Sequence, residues 1–235
     1  MIELTAAQPA QAEHSSTCGK RSKARWALGL VTIALAAIFL PQALRVTLGS
    51  NFHAVVEQRL YRAAQPSGST LEHYVRNYGI RTVINLRGPN NKGEDWFEEE
   101  QQAVRRCQVN FVSVNMSASD KPQEQELRNL INTFDQLPEP FLVHCNSGSD
   151  RSGFASACFL LLKTDTDVQQ ARGQLSLRFG HLAWGKARCL SQVLDQYQEW
   201  LDAEGLDHQP NHFRHWARLV YEKDDWPEDF KAFGK

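Results

Sequence analysis

Apolar positions along this chain change period repeatedly, and each change marks an element. Leu71, Tyr74, Val75 and Tyr78 recur at i, i+3, i+4 and i+7 behind the turn Ser67-Gly68-Ser69-Thr70. This predicts a capped helix that Gly79 closes. Ile80 to Leu86 is short and β-branched, a strand. Gly88 to Gly93 has loop composition. Trp96, Phe97, Ala103, Val104 and Cys107 mark a helix face, and Phe111, Val112 and Val114 a strand. Met116 to Gln123 is a polar loop. Leu127, Leu130, Ile131, Phe134 and Leu137 make a strongly amphipathic helix that Pro138 and Pro140 end. Phe141 to His144 reads as a buried strand, and Phe154 to Leu162 as a buried helix.

Ahead of these, Gln58 to Pro66 is expected to include a short strand, and residues 45–58 read as a juxtamembrane linker and the entry to the domain. After them the chain is almost all helical, with stripes at Leu190, Val193, Leu194, Tyr197, Trp200 and Leu201 and at Phe213, Trp216, Ala217, Val220 and Tyr221. Strands alternating with helices predict an α/β fold in three layers, a mainly parallel central sheet flanked by helices, with a helical C-terminal part. One domain is expected over residues 52–225.

The N-terminal region differs in pattern. Residues 1–25 have no apolar period and end in a basic group, Lys20, Arg21, Lys23 and Arg25. They are expected to form a disordered basic tail. Residues 26–44 carry no charge and are just long enough to cross a bilayer. A transmembrane signal-anchor helix is the expectation; a cleaved signal peptide and a buried core helix are the alternatives. The basic flank would keep the N-terminus cytoplasmic and place the catalytic domain on the periplasmic or extracytoplasmic side of a single-pass membrane protein.

Composition adds exclusions. The chain has 26 basic against 27 acidic residues, so nothing supports a nucleic-acid-binding surface. Its five cysteines are widely spaced and form no C-x-x-C pair, which argues against a zinc knuckle or a disulfide framework. His208, His212 and His215 lack a completing ligand and are read as solvated, so neither metal nor cofactor is expected.

The chemistry concentrates in His144-Cys145-Asn146-Ser147-Gly148-Ser149-Asp150-Arg151-Ser152-Gly153, between the buried strand and the buried helix. A helix beginning near Ser152 points its first free N–H groups, with their partial positive charge, back into this loop. Gly148 permits the backbone angles of an anion nest, and Arg151 adds a planar fork for two phosphate oxygens. Cys145 at the mouth of so positive a site is a nucleophile aimed at a bound phosphorus. Ser152 is placed to donate to the departing sulfur, and His144 to hold the loop rather than act as a base.

The string resembles the H-C-x2-G-x2-R-[ST]-G signature loop of the cysteine-dependent protein tyrosine phosphatase superfamily. LYRAAQP (residues 60–66) and TVINLRG (residues 82–88) are similar to segments of its bacterial and fungal dual-specificity-like branch. The resemblance implies the phosphatase-like three-layer fold and two-step hydrolysis of a phosphorylated protein or small phosphomonoester through a cysteinyl-phosphate. Cys145 would be the nucleophile, Arg151 the clamp and Ser152 the helper. The loop positions Asn146, Ser147, Gly148, Ser149 and Asp150 would bind substrate. It also implies a general acid on the loop before the signature strand, where the one aspartate is Asp120. Capping of the next helix is the competing role for Asp120, with Glu124 or Glu126 as the other candidate acids.

The implied activity is that of a tyrosine or dual-specificity protein phosphatase. A lipid or inositol polyphosphate phosphatase and a catalytically inactive phosphate-binding module are the alternatives. The loop has no lysine, which argues against a multiply phosphorylated substrate. Arg87 is read equally as an active-site rim residue or a structural partner, Glu98-Glu99-Glu100 as a solvated face, and Arg178 to His181 as a helix end stopped by Gly180, with an approach to the substrate side as the alternative.

Overall fold

The computed structural model describes residues 50–88, 93–182 and 185–222, together with Ala37. The chain divides into two compact units, Met1–Pro41 and Gln42–Lys235. The predicted tail 1–25, nearly all of the apolar segment 26–44, residues 89–92 of the predicted loop and residues 223–225 lie outside the described residues.

Five strands form one mixed sheet: β1 (His53–Val56), β2 (Leu60–Ala63), β3 (Thr82–Asn85), β4 (Asn110–Ser113) and β5 (Phe141–His144). Their spatial order is β1-β2-β5-β3-β4. β1 runs antiparallel to β2, and the β2–β5, β5–β3 and β3–β4 pairs are parallel. The expected helices are present as α1 (Gly68–Tyr78), α2 (Asp95–Cys107), α3 (Glu124–Gln136) and α4 (Asp150–Lys163). Short α5 (Val168–Arg172), long α6 (Arg188–Glu204), α7 (Pro210–His215) and a π turn over Trp216–Val220 follow. The Ser67 hydroxyl caps α1, and Gly79 ends it at φ 64°.

Alternation along the buried strands sorts side chains between the two faces. Leu60, Ile84, Phe141 and Val143 join the core formed with α3, α4, α6 and the C-terminal turn. Tyr61, Ala63, Val83 and Leu142 join the smaller core under α1 and α2. By the same alternation Arg62 points to the α4 side and His144 to the α2 side. α4 is buried along its length from Ser152 to Leu162, as its unbroken apolar run predicts. Each fully buried Phe or Leu there contributes roughly 1.5–3 kcal/mol.

Two expectations are corrected. Residues 53–56, read as linker and domain entry without a strand, form the edge strand β1, and a register shift between Ala54 and Val56 interrupts its pairing. Four residues broken by a bulge give no period long enough to see in sequence. The single-pass membrane reading, with its extracytoplasmic catalytic domain, is also withdrawn: no described helix is long and apolar enough to cross a bilayer. The longest, α6, has 17 residues and spans about 25 Å. It buries one face and turns the other outward, where a lipid-crossing helix would be apolar all round. Residues 26–44, on which the reading rested, are outside the described residues apart from Ala37.

Candidate active site

The ten-residue loop leaves β5 at the C-terminal edge of the sheet, and α4 begins within it, at Asp150. Its four central carbonyls are all bonded from outside. The backbone N–H of Gln65 donates to Asn146 O at 3.2 Å. The Asn51 side chain donates to Ser147 O at 3.0 Å, and Arg62 Nη2 donates to both Gly148 O and Ser149 O at 2.8 Å. In a planar trans peptide the carbonyl of one residue and the N–H of the next point in opposite directions. Turning these carbonyls outward therefore turns the N–H groups of Ser147, Gly148, Ser149 and Asp150 inward. That produces an anion nest at the N-terminus of α4, with Cys145 beside it and only 2% exposed.

Gly148 makes the close packing possible. Its φ is +72°, and a Cβ there would lie 2.6 Å from the Ala63 carbonyl carbon and the Ala64 nitrogen. Gly153 has a different reason: a Cβ would sit 2.7 Å from Gln174 O and 3.1 Å from Arg62 Nη2. Both glycines let the loop lie flat against β2 and its arginine.

Arg62 is the main external support, and sequence reading did not single it out. Its side chain is fully buried, donates also to Gln174 O and Oε1, and lies 4.2 Å over the Phe179 ring. Burial pulls its guanidinium down to about 10, opposed by Cys145 and Asp150, so it stays cationic at neutral pH. Asn51, at φ 44°, also donates to Phe179 O and ties the 176–181 segment to the loop. In that segment Nδ1 of buried His181 lies 2.8 Å from Asp150 Oδ1. Arg178 to His181 is thus more than a helix end.

Beneath the loop, on the α2 face, His144 Nε2 lies 2.7 Å from Glu100 Oε1 with both side chains fully buried. Asn85 Nδ2 and Gln65 Nε2 donate to the same carboxylate at 2.7 and 3.1 Å. Burial pushes the Glu100 carboxyl up, but His144, Gln65 and Asn85 outweigh it and hold the group below the usual carboxylate range. Glu98 and Glu99 are exposed as expected, whereas Glu100 is not. Its signal was positional, because Phe97, Glu100 and Val104 fall on one helix face.

Arg151 Nη1 donates to Leu86 O and Met116 O, both at 3.3 Å, so it spans the ends of β3 and β4. Its Nε is buried without a protein partner. The Ser152 hydroxyl donates to Ala63 O at 3.4 Å, a long bond. Arg87 lies 3.5 Å over the Trp96 ring and donates to Gln65 Oε1 at 3.2 Å. Burial first, and Arg151 second, lower its pKa, opposed by Glu100 and Cys145. Through Gln65, whose backbone N–H donates to Asn146 O, Arg87 is linked to the ten-residue loop.

Asp120 is exposed on the 116–123 loop, and its Oδ1 accepts from the Lys121 N–H at 2.9 Å. It does not cap α3. Gln123 does, in a reciprocal box with Glu126. Burial, then Asp120, with Asp150 a smaller influence, push the Cys189 thiol up to about 11. The bond from Arg151 to Met116 O places the start of the 116–123 loop beside the ten-residue loop. His208 Nδ1 is bonded to the Tyr197 hydroxyl at 2.8 Å, and no cluster of metal-ligating side chains occurs among the described residues.

A cysteine at the mouth of a backbone anion nest, an arginine at the start of the following helix and a parallel sheet behind them define the class of cysteine-dependent phosphatases. The family described as "DSP-PTPase phosphatase fused to NAD+ Kinase" matches residues 40–187. That is more than half of the chain, and the chain belongs to this family, as a phosphatase and hydrolase of DSP-PTPase type.

Solved structures share the fold. A cysteine-to-serine variant of P. aeruginosa TpbA in complex with pTyr is 17% identical, with a TM-score of 0.50 over 73% of this chain and 92% of that one. The core catalytic domain of the PP-IP phosphatase SIW14 from S. cerevisiae is 21% identical, with a TM-score of 0.50 over 66% and 93%. None of the curated proteins matches the sequence.

Proposed function

We propose that this chain hydrolyses phosphomonoesters through a cysteinyl-phosphate on Cys145, and that its substrates are phosphotyrosine and related residues of proteins. The observation that supports this most is the outward bonding of all four loop carbonyls from Asn146 to Ser149, which leaves the amides for a phosphoryl group. In the first step the Cys145 sulfur forms a bond to phosphorus while the bond to the ester oxygen breaks. Asp120 gives its proton to that leaving oxygen. Arg151 clamps two phosphoryl oxygens, with its buried Nε as one of the available donors. In the second step Asp120, now a carboxylate, takes a proton from water. The water oxygen bonds to phosphorus and the S–P bond breaks, with the Ser152 hydroxyl turning from Ala63 O to the departing sulfur. The pTyr complex of TpbA fits a phosphotyrosine substrate for a chain of this fold.

A second reading is favoured by one observation. Arg87, held on Trp96 near Arg151, offers a second cation at the rim. A lipid or inositol phosphate with a further anionic group would use it. SIW14, a PP-IP phosphatase, shares the fold. Turnover of a phosphotyrosine peptide and of an inositol polyphosphate, measured side by side, decides between the two. A preference for the peptide supports the protein substrate, and a preference for the polyphosphate overturns it. Activity is expected to survive chelators and to be blocked by vanadate.

A further inference from the structure

The 116–123 loop is tied at both ends by side chains from distant parts of the chain. At its start Met116 O accepts from Arg151. At its end Pro122 O accepts from the Tyr221 hydroxyl at 2.8 Å, in a buried bond spanning 99 positions of sequence. Asp120 lies exposed between these two ties. Tyr221 follows the π turn, is 3% exposed and packs against Trp216 with ring centroids 5.3 Å apart. Burial chiefly, then Glu124, with Asp120 among the smaller influences, push its phenol above the ordinary range, so it remains an O–H donor wherever the enzyme is folded. Tyr221 lies outside the matched residues 40–187.

We propose that Tyr221 is a positioning residue for the acid loop: through the Pro122 carbonyl it holds Asp120 at the mouth of the phosphate nest. The C-terminal turn thereby becomes part of the catalytic apparatus without touching substrate. The proposal rests on the reading of Asp120 as the general acid.

Leaving-group dependence tests it, because an acid matters most where the departing oxygen is a poor leaving group. Tyr221→Phe keeps the ring and removes the donor. With phenyl phosphate its turnover is expected to fall about tenfold, and with 2,4-dinitrophenyl phosphate less than about twofold, as a fraction of the roughly hundredfold effect of an acid. In an Asp120→Asn background the same change is expected to add nothing. Hydrogen exchange in Tyr221→Phe should accelerate at residues 117–123 and stay unchanged in β5.

Equal losses on both esters, no loss on either, or a loss that persists beside Asp120→Asn would overturn the proposal. So would exchange that accelerates throughout the domain. A wild type that turns over while Asp120→Asn matches it removes the acid role and this proposal, but leaves hydrolysis at Cys145 standing. A wild type with no turnover removes both.

Discussion

The two loops that meet at this site are built in opposite ways. The phosphate loop is bonded from three sides by buried groups: Arg62 and Asn51 at its carbonyls, Glu100 beneath His144, and His181 against Asp150. The 116–123 loop, proposed to carry the acid, exposes Ser119 and Asp120 and is secured mainly at its ends, by Arg151 and Tyr221. The difference follows from what each must do. An anion nest stabilises charge best when its dipoles are fixed beforehand. In the proposed mechanism the proton donor must approach leaving groups of different shape and let product out, which suits a loop secured mainly at its ends.

Variants separate the two constructions. The largest effect is expected from Cys145→Ser, which should reduce aryl phosphate turnover to background while circular dichroism stays native. Arg62→Met comes next. It strips the donors from Gly148, Ser149 and Gln174, and should cost about 3 kcal/mol in urea unfolding together with most activity. A variant of native stability and full activity would show that the phosphate loop needs no such support. Asp120→Asn should lower phenyl phosphate turnover about 100-fold with no change in the urea midpoint, as expected for an exposed group on the acid loop. A large stability loss would mean that the two loops are not so different.

Glu100→Gln should act through pH. The folded-state pKa of Glu100 lies below its unfolded value, so its contribution is complete above the ordinary carboxylate range of about 4.3. It is lost as pH falls through the lower folded value. Asp135, held low by Arg214 and Lys163 against the opposing effect of burial, works in the same direction. Unfolding free energy should therefore drop on acidification below about pH 4.5, with a shallower slope in Glu100→Gln. The smallest effect is expected from Arg87→Ala: a few-fold loss on esters with a second anionic group, and little on phenyl phosphate.

The phosphate loop could be read from the sequence because its chemistry is contiguous. A strand, a cysteine, a glycine, an arginine and an apolar helix follow one another within some twenty residues. Its supports could not be read in the same way, because each is a lone polar residue inside an apolar context. Arg62 sits in a four-residue strand that is otherwise Leu, Tyr and Ala. Glu100 ends a run of three glutamates, and only its spacing from Phe97 and Val104 marks it as buried. His181 follows a glycine stop that was a sufficient explanation by itself. The acid role of Asp120 was expected from the resemblance, but the tie between its loop and Tyr221 is made at Pro122, 99 positions away, and no local pattern encodes such a pairing.

In the proposed reaction phosphorus passes through sulfur at Cys145. Acid quenching during turnover of an aryl phosphate, followed by proteolysis and mass spectrometry, tests this directly. The account predicts a phosphate on the peptide carrying Cys145 in wild type, accumulating further in Ser152→Ala, where release is slowed, and absent from Cys145→Ser. Steady turnover with that peptide unmodified, or with phosphate on another residue, would contradict it.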